Sequence, residues 1–272
     1  MPYCKVRQAE IYYEDIGEGK PILMIHGYSL DHRVMMGCME PLFTNRTGYR
    51  RIYIDLPGMG LTKNYDDIHS SDEMLNAVQD FIQAIIADQE YMIAGESYGG
   101  YIARGIIHKQ NEKLLGVAFI CPVIFPFSKN RKVEKHKIFK TDEPFIATLS
   151  KEELEIFRNN CVILDEYTWL RYKQEILCGS KIGNEKFLKA YKEKYGFSFE
   201  IDQTDFDKPS VFLLGRQDSS VGYQDALEMI KKYPRGTFAV LDKAGHNLQI
   251  EQSPIFNTLM NEWLDRMEET FI

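Results

Sequence analysis

Short apolar runs that stop at turn residues, separated by stretches of helical periodicity, restrict this 272-residue chain more than any other feature. They occupy 21–25, 51–55, 91–95 and 115–120 in the first half, and 211–215 and 237–241 near the end. A further strand pattern covers 9–15, ahead of a turn at Gly17 and Gly19. A strand that is apolar at nearly every position has both faces buried, which is the habit of parallel sheets. Between the runs, Met74, Leu75, Val78, Phe81, Ile82, Ile85 and Ile86 form the apolar stripe of an amphipathic helix. Ser70 and Glu73 precede it as a capping box. The span 98–110 carries few charges and reads as a helix buried against a sheet. Phe256, Leu259, Met260, Trp263, Leu264 and Met267 close the chain with a second amphipathic helix. This alternation predicts an α/β fold with a mostly parallel sheet.

The segment 126–205 breaks the rhythm, with no convincing buried strand. It reads as a mainly helical insertion, a lid, between the two parts of a core at 1–125 and 206–272. It carries a second capping box, at Ser150 and Glu153, and a Tyr- and Trp-bearing helical stretch at 166–177. The run 129–140 holds six Lys or Arg against one Glu. A solvated surface is the expected role, with steering of anionic ligands the alternative. Phe125, Phe127, Phe139, Phe145, Phe157, Trp169 and Tyr172 are read as lid core ahead of ligand contacts.

Composition narrows the function classes. Hydrophobic residues at 44% and charged residues at 27% exclude a disordered tail, a fibre and a disulfide-dense miniprotein. With 33 basic and 40 acidic side chains, the net charge of −7 suits a general nucleic-acid binder poorly. No run approaches the ~18 apolar residues of a membrane helix. The start, Met1-Pro2-Tyr3-Cys4-Lys5, lacks the apolar core of a secretion signal. Cys4, Cys38, Cys121, Cys161 and Cys178 contain no CxxC pair, so reduced thiols and a cytoplasmic location are expected.

One motif carries chemistry. Gly95-Glu96-Ser97-Tyr98-Gly99 matches G-x-S-x-G between an apolar strand and a buried helix, the context of a nucleophile elbow. Gly95 and Gly99 are needed where a Cβ would collide in the sharp turn. Ser97 then sits at a helix N-terminus, which favours developing negative charge. Glu96 is expected to be a buried, hydrogen-bonded anchor, with tuning of a base the alternative.

Further landmarks follow in order: His26-Gly27-Tyr28, Asp55-Leu56-Pro57-Gly58-Met59-Gly60, Gly215-Arg216-Gln217-Asp218 and Ala244-Gly245-His246-Asn247. With the elbow, they make nearly the whole chain resemble the α/β-hydrolase superfamily, in its lidded branch of esterases, perhydrolases, proline iminopeptidases and C–C bond hydrolases. That resemblance implies an eight-stranded, mostly parallel sheet flanked by helices, with a helical lid insertion. It implies a triad in the chain order Ser97, Asp218, His246. Asp55 is the rival acid, and in the superfamily that position usually braces the following turn. His26 matches a position that orients the oxyanion loop. The hole itself would use the backbone N–H groups of Tyr28 and Tyr98, with Gly27 letting the loop bend toward the substrate. The Tyr28 phenol is expected to narrow the pocket or add a donor. The elbow carries Tyr98 where perhydrolases have Met and proline iminopeptidases Trp.

The function expected is a serine hydrolase of a small ester or related acyl compound, acting through an acyl-enzyme. Neither metal, nucleotide nor flavin is implied. The pattern 58–63 lacks both the dinucleotide and the P-loop signatures. A receptor-like protein that holds a ligand with little turnover is the alternative from another class. A C–C bond hydrolase or aminopeptidase of the same fold is another. Activity is expected to rise with pH through ~6.5, where a free imidazole loses its proton.

Overall fold

The computed structural model describes residues 3–271, apart from the side chains at 110 and 111. Met1 and Pro2, at the start of the segment read as lacking a signal, lie outside the described residues. The expected strands form β2 (Glu10–Ile16), β3 (Lys20–Ile25), β4 (Tyr49–Ile54), β5 (Tyr91–Glu96), β6 (Leu114–Ile120), β9 (Ser210–Gly215) and β10 (Gly236–Leu241). A short edge strand, β1 (Tyr3–Lys5), joins them. The eight strands run in the order β1-β2-β4-β3-β5-β6-β9-β10. β2 is antiparallel to both of its neighbours, and the remaining pairings are parallel. Every residue of β5 and β9 is buried, which explains why neither shows alternation.

Helices shield the sheet. They begin with α1 (His32–Met39), α2 (Ser71–Ile85) and α3 (Tyr98–Gln110). Within 126–205 lie α4 (Glu143–Ile146), α5 (Lys151–Asn160), α6 (Glu166–Arg171), α7 (Cys178–Ser180) and α8 (Glu185–Tyr191). The chain ends with α9 (Gln224–Leu227), α10 (Leu248–Glu251) and α11 (Ser253–Glu268). α3 packs on β5 and α2 packs on α3, while α11 lies against β6 and β9. Trp263, fully buried on α11, donates its indole N–H to the Pro209 carbonyl at 3.2 Å, so burial of the ring leaves no polar atom stranded.

Three local expectations change. Residues 126–205 add no strand to the main sheet, yet β7 (Lys140–Thr141) and β8 (Ile163–Leu164) pair as a small parallel ribbon, and β8 is buried. The stretch 166–177 is α6 followed by a π-helical turn, Tyr172–Leu177. The capping box at Ser150 closes in both directions, at 3.1 and 3.2 Å. That at Ser70 does not: Ser70 accepts from the Glu73 N–H at 3.4 Å, but Glu73 reaches past it to the His69 N–H at 2.6 Å.

Candidate active site

The turn after β5 holds Ser97 at φ +51°, a left-handed conformation that L residues adopt only when their surroundings enforce it. The Ser97 N–H donates to Ile120 at 2.9 Å, and its carbonyl accepts from Val123 at 3.0 Å. Both bonds pin the turn to the end of β6. Gly99 is a close-approach position, because a Cβ there would sit 2.0 Å from the Ile25 carbonyl oxygen. Gly27 is another: its Cβ would meet the Glu96 carboxyl at 2.2 Å. Gly95 lies in β5 itself.

Loops after β9 and β10 bring two further side chains to Ser97. His246 Nε2 lies 2.9 Å from the Ser97 hydroxyl, and His246 Nδ1 lies 2.8 Å from Asp218 Oδ2. The other Asp218 oxygen accepts from the Ser220 and Val221 N–H groups at 2.8 and 2.9 Å. An ionised Asp218 can only accept, so Nδ1 carries the ring proton and Nε2 of the neutral ring can accept from the serine. Burial pushes the Asp218 carboxyl up. The charge and hydrogen bond of His246 and the two N–H donors outweigh that and hold it below the ordinary carboxylate range.

The rival acid is occupied elsewhere. Asp55 accepts from the His32 N–H and ring at 2.7 and 2.8 Å, and from the Leu61 N–H at 2.7 Å. It braces the turn 57–60. His26 is also buried; Nε2 accepts from the Leu56 N–H at 2.9 Å and Nδ1 donates to the Gly27 carbonyl at 2.7 Å. These bonds fix one neutral tautomer, and burial pushes its pKa down. Among the described residues there are two clusters of possible metal donors, Cys121-Asp218-His246 and Asp31-His32-Asp55. Their carboxylates are already engaged by His246, Arg33 and His32, and burial keeps the Cys121 thiol protonated.

The N–H groups of Tyr28 and Tyr98 have no hydrogen-bond acceptor among the described residues. Their side chains face away from this role. The Tyr28 phenol donates to the Leu188 carbonyl at 2.5 Å, tying the 126–205 segment to the loop rather than adding a donor at the serine. The Tyr98 hydroxyl bonds Ser71 at 2.7 Å and Tyr191 at 2.5 Å.

Glu96 departs from expectation. It is 2% exposed, its Oε2 has no hydrogen-bond partner, and its Oε1 lies 3.6 Å from His246 Nε2. The elbow aims it between the Gly27 backbone and His246, so it faces the imidazole ring. Burial pushes this carboxyl up to about 7. Burial opposes the charge on His246 too, but Asp218 and then Glu96 raise its pKa to about 9.

These groups open on a cavity of about 790 Å³, ordinary for a small-molecule site. Of the aromatics between 125 and 172, Phe157, Trp169 and Tyr172 are buried, and Tyr172 also lines the cavity. Phe125, Phe127 and Phe139 are exposed, and Phe127 lines the mouth. The run 129–140 is largely exposed, except that Arg131 is half-buried and turned into the cavity. Glu251 on α10 has no motif to mark it, yet its carboxylate accepts from Val162 at 2.7 Å and from Gly245, beside His246, at 2.6 Å.

A family model for the alpha/beta hydrolase fold matches residues 20–253. The chain belongs to this family. This α/β hydrolase is 25% identical over 267 residues to a pimeloyl-[acyl-carrier protein] methyl ester esterase of Legionella pneumophila (strain Corby), covering 93% of this chain and 99% of that protein. It is 22% identical over 260 residues to a 2-hydroxy-6-oxo-2,4-heptadienoate hydrolase of Pseudomonas putida, covering 94% and 92%. Among solved structures, an alpha/beta superfamily hydrolase of Oenococcus oeni PSU-1 superposes with a TM-score of 0.89 at 32% identity, covering 98% of this chain and all of that one. No helix among the described residues is long and apolar enough to cross a membrane.

Proposed function

We propose that this α/β hydrolase is a serine esterase of small acyl esters, with Ser97 as nucleophile, His246 as base and Asp218 as its orienting acid. The observation that carries this reading is the chain of contacts from Ser97 to His246 to Asp218, 2.9 and 2.8 Å long, opening on the cavity. A serine hydroxyl is a weak nucleophile until a base takes its proton. In this reading Ser97 Oγ bonds the ester carbon as Nε2 takes the hydroxyl proton. The same proton passes to the departing alcohol as the ester C–O bond breaks. Water then attacks the acyl-enzyme, again giving a proton to Nε2, and the acid leaves with Ser97 restored. The free N–H groups of Tyr28 and Tyr98 are placed to hold the tetrahedral oxyanion, each worth about 3 kcal/mol by the usual loss of one such donor.

In this scheme residues 126–205 act as a lid over the core formed by 1–125 and 206–272, and the cavity beneath takes a small molecule. The five cysteines are free, in keeping with a reducing, cytoplasmic setting. The name of the Legionella relative, a methyl ester esterase, favours an ester over an amide.

Hydrolysis of p-nitrophenyl acetate and butyrate tests the proposal. Ser97→Ala should lower kcat at least about 1000-fold with an unchanged circular dichroism spectrum. A fluorophosphonate should add once, at Ser97, in peptide mass maps. Comparable rates in the variant, or labelling elsewhere, would remove Ser97 from the mechanism. Wild-type inactivity toward a broad ester panel, with a tightly held small molecule, would favour the receptor.

A further inference from the structure

Arg131 is the exception among the shielded arginines. Every other buried or half-buried arginine of the described residues forms an ion pair with a carboxylate, as Arg104 does with Asp202 and Arg171 with Glu175. Arg131 forms none, and it lines the catalytic cavity. Its side chain is nevertheless fixed. Nε donates to the Phe125 carbonyl at 2.8 Å, Nη2 to Pro126 at 2.6 Å and Nη1 to Ser220 at 3.1 Å. A guanidinium has five N–H donors, so two remain without a protein partner. Burial pushes its pKa down, whereas neighbouring acids raise it at Arg104 and Arg171. A shielded charge without a counter-ion is costly unless something supplies one.

Other groups agree in sign. Lys192 lines the same cavity, lies over the Tyr28 ring and has no ion-pair partner among the described residues. The acids nearest in effect to Arg131 face other groups: Asp218 is held by His246, and Asp225 accepts from the Lys132 N–H at 3.0 Å through Oδ2 while its Oδ1 lies 3.9 Å from Lys132 Nζ, and neither forms an ion pair with Arg131. Glu96, beside the nucleophile, repels a negative group and so opposes binding in the reverse sense.

We propose that the cavity selects esters whose acyl part ends in a compact oxyanion, a carboxylate or phosphate, held by the two open N–H groups of Arg131 while the ester carbonyl lies at Ser97. One open N–H on Nη1 and one on Nη2 can each donate to an oxygen of such a group. This inference rests on the esterase reading above and adds the substrate class.

Monomethyl glutarate and the neutral methyl pentanoate, similar in length, form the test pair, with methanol release as the readout. The wild type should show kcat/KM at least about 10-fold higher for monomethyl glutarate, mainly through KM, and added salt should erode the difference. Arg131→Gln should bring the ratio near one, and Arg131→Lys should keep part of it. A wild-type ratio of one or below, or a ratio indifferent to Arg131→Gln, overturns the proposal while leaving the esterase standing. Should Arg131→Gln fail to fold, the salt dependence and Arg131→Lys decide. If neither ester is turned over, the esterase reading fails instead. Calorimetric binding of glutarate then decides the subsite: about 10-fold weaker binding to Arg131→Gln supports it, and equal binding overturns it. Competitive inhibition separates the two oxyanions, with propyl phosphate stronger than butyrate if a phosphoryl group is the natural occupant and weaker if a carboxylate is.

Discussion

Two carboxyl groups approach His246 from opposite ends of its ring, Asp218 at Nδ1 and Glu96 near Nε2. Both stabilise the imidazolium, and a base must be neutral to accept the serine proton. Since the His246 pKa is raised to about 9, esterase activity should climb with pH through that region. Glu96→Gln removes one of the two charges and should move the limb down by about one pH unit or more. Profiles of log kcat/KM for both proteins check this, and coincident limbs would show that Glu96 does not reach the base. Ser97, Asp218 and His246 were readable because each occupies a turn that directly follows an apolar strand. The surroundings of Glu96 and Arg131 were not readable, for a shared reason. Their role depends on which neighbours fill the space around the side chain, and neither a motif nor a charge count records that space.

At the scale of elements, the strands were legible because burial on both faces replaces alternation with unbroken apolar runs. β1 and the β7–β8 ribbon were not, since two or three residues carry no period. The first capping box closes in one direction only, because the Glu73 carboxylate accepts from the His69 N–H at 2.6 Å. One link between the 126–205 segment and the His246 loop was also invisible: Glu251 bridges Val162 and Gly245, beside the direct bond from Asn247 to the Asn160 carbonyl at 2.8 Å. Glu251→Gln leaves one oxygen for two N–H donors and turns its own NH2 toward the second. Hydrogen bonds to charged groups contribute roughly 1.5–3 kcal/mol, so urea unfolding should show a loss of about 2 kcal/mol. With the His246 loop loosened, kcat should fall more than KM rises. Unchanged stability would mean that the bridge is not maintained in solution.

For the whole molecule, the proposed mechanism ties turnover to stability, since the proton that would silence His246 as a base also stabilises the fold. The His246 pKa is about 9 in the folded chain and near 6.5 when unfolded, so the folded state holds this proton more tightly. Its contribution is complete below pH 6.5 and is lost as pH rises through 9. Glu96 and Glu251, raised from 4.5 to about 7, act in the same direction over a lower window, between those two values. His26 opposes them, since it stays neutral while the unfolded chain takes up a proton; its influence ends above pH 6.5. Between pH 7 and 9 the His246 proton therefore dominates this group. The melting temperature should fall by roughly 5–10 °C across that window, on the usual scale for a domain of this size. Activity should rise over the same interval. His246→Gln should flatten the melting curve against pH as well as abolish turnover, since both effects are assigned to one ionisation. A wild-type melting temperature that is level from pH 7 to 9 while activity climbs would separate the two and locate the activity limb on another group.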